Sequence, residues 1–116
     1  MNGNPTYGST SAAYLLVTGG VASRVVALTP GSFVVGRSSD ADLELSHVEI
    51  SRHHCRFSWD GEHCAIEDMG STRGTRVNGA LIYGKTPLKP GDEVAIGPAI
   101  LEFGVGEPPE LDAAAT

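Results

Sequence analysis

The chain has 116 residues, enough for one domain of ordinary size and one main core. Its formal charge of −6, from 8 Lys and Arg against 14 Asp and Glu, argues against a general polyanion binder, and no apolar run approaches the roughly 18 residues of a membrane helix. The N-terminus lacks the basic and apolar regions of a signal peptide, so the expectation is a soluble cytoplasmic domain that binds neither nucleic acid nor membrane.

Residues 1–11 read as a flexible segment whose few apolar groups cannot offset ordering entropy. Beyond them, 15 glycines and 7 prolines punctuate short alternating or β-branched runs and leave little room for helices. Strands are expected at 14–18, 24–28, 32–36, 43–45, 55–59, 63–67, 76–78, 93–96 and 100–105. Their spacing of roughly 8–12 residues implies an all-β sandwich or barrel. The Pro-, Ala- and acid-rich stretch 107–116 reads as a second flexible segment, leaving 12–106 as the domain.

Charge is unevenly placed along these elements. All 8 basic residues lie within 24–89 together with 8 acids, whereas 90–116 carry 6 acids and no base. Arg37, Arg52, Arg73 and Arg76 stand beside Gly- and Ser-rich turns. A local anion site on an acidic protein is feasible, because a Debye length of about 8 Å lets near charges outweigh distant ones.

The segment from Cys55 to Glu67 contains Asp60-Gly61, a two-residue hairpin signal that pairs Trp59 with Glu62, Phe57 with Cys64 and Cys55 with Ile66. One face then carries Cys55, Phe57, Trp59, Cys64 and Ile66, and the other His54, Arg56, Ser58, His63, Ala65 and Glu67. In this register the cysteines are diagonal neighbours about 7–8 Å apart, beyond comfortable disulfide reach. They are expected to be reduced core thiols, and the His and Cys residues, mostly on opposite faces, to hold no metal.

Two apparent catalytic motifs lose their meaning in context. Gly79, Gly84, Lys85 and Thr86 fit the phosphate-binding loop letter for letter, but Pro87, Pro90 and Gly91 deny it the helix that must follow. Ser51, His54 and Asp68 are the residue types of a hydrolase triad, without the strand-to-helix elbow that exposes a nucleophile. No enzymatic activity and no cofactor are expected.

The informative constellation is Gly36-Arg37, then Ser51-Arg52-His53-His54, then Gly70-Ser71-Thr72-Arg73-Gly74-Thr75 with Val77-Asn78-Gly79, then Gly91-Asp92 and Ile96-Gly97. In order and spacing, over about residues 14–105, it resembles the forkhead-associated (FHA) domain. That resemblance implies an 11-stranded β-sandwich with its binding loops at one end. It also implies a phosphothreonine-peptide reader that mediates phosphorylation-dependent signalling contacts, its partner a protein marked by a Ser/Thr kinase. By resemblance Arg37, Ser51 and Thr72 contact the phosphate, and Arg52 reaches phosphate or peptide. His54, Gly36, Gly70 and Asn78 shape the loops from behind. Arg73 stands where the family has an asparagine that holds the ligand main chain; arginine donates hydrogen bonds but accepts none. That replacement motivates an alternative, a phosphate-independent interaction module on the same fold. Glu49 lies in a loop that in this family helps select ligand residues after the phosphothreonine, and is expected to disfavour acidic side chains there.

The residue chemistry suits such a ligand without the name. A phosphothreonine carries about −1.5 to −2 charges and three acceptor oxygens. A reader therefore needs a permanent cation with a planar fork of donors, here Arg37, and short neutral donors on turns, here Ser51 and Thr72.

Overall fold

The computed structural model describes residues 12–109, so the expected flexible segment 1–11 and most of the second, 107–116, lie outside the described residues. Eleven strands form two packed sheets. They are β1 (Ala13–Gly19), β2 (Arg24–Leu28), β3 (Gly31–Gly36), β4 (Leu43–Glu44), β5 (Cys55–Trp59), β6 (Cys64–Asp68), β7 (Arg76–Val77), β8 (Ala80–Leu81), β9 (Thr86–Leu88), β10 (Glu93–Ile96) and β11 (Ala99–Val105). One sheet runs β2-β1-β11-β10-β7-β8 and the other β4-β3-β5-β6-β9. The β3–β4 pair is parallel, Val35 against Leu43, and every other recorded register is antiparallel.

Period-2 alternation decides which residues fill the space between the sheets. In β1, Ala13, Leu15 and Val17 point inward with half-buried residues between them, and β11 contributes Ala99, Leu101 and Phe103 in the same way. Cys55, Phe57 and Trp59 of β5 face them from the second sheet. Trp59 and Phe103 meet edge to face across the sandwich, with ring centroids 5.8 Å apart. Each large apolar side chain so buried contributes about 1.5–3 kcal/mol.

The expected strands are present, with ends shifted by a residue or so, and two short ones, β8 and β9, are additional. The β5–β6 register differs from expectation by two residues: Trp59 pairs with Cys64, Phe57 with Ile66 and Cys55 with Asp68. The cause is the turn. Asp60 Oδ1 accepts from the backbone N–H groups of Glu62 (2.8 Å) and His63 (2.6 Å), while the Asp60 N–H donates to the His63 carbonyl. The aspartate side chain thereby closes a four-residue turn instead of a two-residue one. An even shift leaves the faces intact, so Cys55, Phe57, Trp59, Cys64 and Ile66 are all buried as expected.

Two details change with the register. Cys55 and Cys64 are now four positions apart along the ladder, about 13 Å at the rise of a strand; both are free and buried. His54, placed on the outward face by simple alternation, precedes β5 and is fully buried.

The pairings also fix what lies at each end. Val35 opposite Cys55, and Cys55 opposite Asp68, bring Gly36, the segment before Cys55 and the segment after Asp68 to one rim. The β10–β11 turn joins them there: a Cβ built on Gly97 falls 3.2 Å from the Glu49 carbonyl.

Candidate functional site

Four chain segments meet at this rim and are stitched together chiefly by backbone groups. Arg37, immediately after β3, donates its N–H to the Ser51 carbonyl at 2.9 Å, and Ser38 donates to the Arg52 carbonyl at 3.1 Å. The Arg37 side chain is tied as well: Nε donates to the Ile50 carbonyl at 2.9 Å, which leaves its terminal amino groups available. Gly36 permits this approach, since a Cβ there would lie 2.0 Å from the Arg52 carbonyl oxygen. On the neighbouring loop, His53 Nε2 meets Asp40 Oδ1 at 2.7 Å, and Ser38 Oγ donates to the same oxygen at 2.6 Å. The Ser38 and His53 bonds hold the Asp40 carboxyl below the usual carboxylate range.

Behind the rim, His54 bridges two loops. The Ser51 N–H donates to Nδ1 at 3.0 Å, so Nδ1 carries no proton, and Nε2 donates to the Gly74 carbonyl at 2.8 Å. These partners specify one neutral tautomer. Both ring nitrogens are therefore occupied by the backbone, and neither Ser51 Oγ nor Asp68 engages the ring. The residues of the apparent triad do not form one.

Asp68 organises the third segment. Its Oδ2 accepts from the N–H groups of Gly70 and Ser71, both at 2.9 Å, and Oδ1 accepts from Ser71 Oγ at 2.5 Å and Thr75 Oγ1 at 2.7 Å. Gly70, at φ +77°, takes the left-handed turn this wrapping demands. Burial alone would raise the Asp68 carboxyl, but the Ser71 and Thr75 side-chain bonds and the two backbone bonds outweigh it and lower the value. The next loop is held by a reciprocal clamp. Asn78, at φ +50°, donates from Nδ2 to Asp92 Oδ1 at 3.0 Å and accepts the Glu93 N–H at Oδ1, 2.9 Å away.

On this scaffold Ser51 and Thr72 are in direct contact, the Thr72 N–H donating to Ser51 Oγ at 3.0 Å. That bond uses an acceptor lone pair of Ser51 and leaves its hydroxyl proton free to donate. Thr72, Arg37, Arg52 and Arg73 are exposed. Arg73 Nη2 lies 3.9 Å from Glu49 Oε2, and among the described residues no carboxylate is within salt-bridge reach of Arg37 or Arg52. Eight of the nine binding and loop-shaping residues expected from the sequence thus sit on, or brace, the loops of this rim; Asn78 instead ties the β7–β8 turn to Asp92 and Glu93, at the end of β10 away from Gly97, and does not brace the rim.

Sequence reasoning missed two features of the site. The fourfold acceptor role of Asp68 was signalled by its place two residues before a Gly-Ser turn. The pairing of Glu49 with Arg73 had no local signal, because it joins loops 24 residues apart in the chain. A larger cleft of about 620 Å³, lined by Trp59, His63, Cys64 and Lys85 among others, lies at the opposite end of the sandwich, away from these donors.

The chain is 36% identical over 74 residues to FHA domain-containing protein FhaA of Mycobacterium tuberculosis, covering 64% of this chain and 14% of that protein. It is 32% identical over 94 residues to FHA domain-containing protein FhaB of the same organism, covering 80% of this chain and 61% of that protein. It therefore spans only part of each of these relatives. A solved structure from work on phosphothreonine-dependent FHA domain interactions superposes with a TM-score of 0.75 at 30% identity, covering 85% of this chain and 99% of that one. The sequence model of the FHA domain matches residues 33–97, more than half of the chain, and the protein belongs to the FHA domain family.

Proposed function

We propose that this domain is a non-enzymatic reader of phosphothreonine peptides, docking an extended ligand across the loops at one end of the sandwich and so making protein contacts depend on phosphorylation. The observation that carries the reading is the convergence of Arg37, Ser51 and Thr72 through three loops that bond one another directly. Membership of the FHA family and likeness to a phosphothreonine-dependent relative support it.

In this reading the terminal amino groups of Arg37 and the hydroxyls of Ser51 and Thr72 take the three phosphoryl oxygens. Arg52 adds charge at the rim, and Arg73 donates to phosphate or peptide carbonyl. Charge-assisted hydrogen bonds of this kind contribute about 1.5–3 kcal/mol each. The donors need no rearrangement, because Gly36, His54 and Gly70 fix the loops before the ligand arrives.

Calorimetric titration of one library-selected peptide, with and without its phosphoryl group, tests the reading. Binding that requires the phosphoryl group, and weakens at least about tenfold in Arg37→Ala, is expected. Equal affinity for the two peptides would leave the phosphate-independent interaction module as the correct account.

A further inference from the structure

We propose that the cleft between Arg73 and Arg76 is a second anion subsite, which takes an acidic side chain or a second phosphoryl group of the same ligand and is screened by Glu49 when empty. The inference rests on the phosphopeptide reading above and adds to it a preference in the ligand sequence.

The cleft has a volume of about 240 Å³ and is lined by Glu49, Arg73, Gly74, Arg76, Ala95 and Gly97. Two arginines and one glutamate thus line one cleft, an excess of one positive charge among its lining residues on a protein whose formal charge is −6. Among the described residues only Arg73 is within salt-bridge reach of Glu49, at 3.9 Å, and that pair is loose and solvated, with side chains 59% and 44% exposed. Arg76 has no carboxylate within salt-bridge reach among the described residues, and its recorded side-chain hydrogen bond, from Nη1 to the Gly79 carbonyl, is long at 3.4 Å. Glu93 lies one diagonal step away on β10, about 7–8 Å in a sheet, and forms no ion pair with Arg76 in this structure.

Position makes the cleft part of the same ligand path. Arg73 follows Thr72 directly, and Arg76 is four residues on, so its Cα lies within about 14 Å of that of Thr72. An extended peptide rises about 3.3 Å per residue. A side chain within about four residues of the phosphothreonine therefore reaches the cleft. Because Glu49 is already engaged by Arg73 and outnumbered, an entering anion exchanges with it at Arg73 and pairs afresh with Arg76. This reverses the selectivity expected from Glu49 alone. A half-exposed pair of this kind changes affinity by about two- to fivefold.

The test is a calorimetric scan. A phosphothreonine peptide with alanine flanks is compared with versions carrying glutamate, lysine or phosphoserine at each of four positions on either side. One position is expected to favour glutamate over alanine by about two- to fivefold, with phosphoserine gaining more and lysine losing. Arg76→Gln, which keeps the side-chain stem, should erase that gain while binding the all-alanine phosphopeptide within about twofold of wild type. Glu49→Gln should enlarge the gain. If no position prefers glutamate to lysine, or if the preference survives in Arg76→Gln, the subsite is overturned while the phosphopeptide reading stands. If the all-alanine phosphopeptide binds no better than its unphosphorylated form, both fall together.

Discussion

The backbone N–H of Ser51 donates to Nδ1 of His54 at 3.0 Å, while the Ser51 hydroxyl receives the Thr72 N–H at the same distance. A fully buried imidazole thereby holds the position of a surface donor, and the other ring nitrogen anchors the loop that carries Arg73 through the Gly74 carbonyl. Replacing His54 by alanine leaves a buried N–H and a buried carbonyl without partners. It should cost about 2–4 kcal/mol in urea unfolding, and weaken phosphopeptide binding at least tenfold although the ring does not touch the ligand. Unchanged affinity in a folded His54→Ala would show that the loops hold their shape without it.

Asp68 predicts a pH dependence with a definite sign. Its folded carboxyl lies below the unfolded value of about 3.9, so it contributes stability that is present above that value and lost as pH falls through the folded one. Unfolding free energy should decline below about pH 4, and less steeply in Asp68→Asn than in wild type. At neutral pH, Asp68→Ala strands four donors and should cost about 1–3 kcal/mol. Parallel pH profiles of the two proteins would remove Asp68 from the account.

Gly36 and Gly84 make a matched pair for alanine substitution. A Cβ at Gly36 would meet the Arg52 carbonyl oxygen at 2.0 Å and carbon at 2.7 Å, both backbone, whereas at Gly84 nothing lies within 4 Å. Gly36→Ala should destabilise by about 1–3 kcal/mol or more and loosen the Arg37–Ser51 tie, measurable as lost phosphopeptide affinity. Gly84→Ala should be neutral or slightly stabilising. Equal thermal stability of the two variants would contradict the close packing of these loops.

The thiols should be inert in the native state. Burial pushes Cys64 up to about 12, and burial with the nearby Asp68 charge raises Cys55 as well, so neither forms the reactive thiolate near neutral pH. A thiol reagent should label neither cysteine in the folded protein at pH 8 and both in denaturant. Rapid labelling of either in the folded protein would place it outside the core.

The sequence made the inward faces legible because alternation is a property of the backbone: Leu15 and Val17, or Phe57 and Trp59, declare their side of the sheet two residues at a time. It was less informative where side chains decide geometry. Asp60 enlarged the β5–β6 turn by accepting two N–H groups, and nothing in Asp60-Gly61 itself distinguishes that from a tighter hairpin. Strands β8 and β9 were hidden by their two- and three-residue lengths and by Pro87 inside β9. In the rim, Arg37, Ser51 and Thr72 were found through a recurring pattern of turn residues. The contact of Glu49 with Arg73 was not, because it exists only once separate loops have folded against one another.

The most direct test of the central claim is an amide and arginine Nε chemical-shift titration of the labelled domain with a selected phosphothreonine peptide. The account predicts the largest changes at Arg37, Ser51, Arg52, Thr72 and Arg73, including the Nε–H of Arg37. It also predicts little change around Trp59, His63 and Lys85 at the opposite end. Saturable binding whose changes concentrate at that opposite end, leaving Ser51 and Thr72 unmoved, would contradict it.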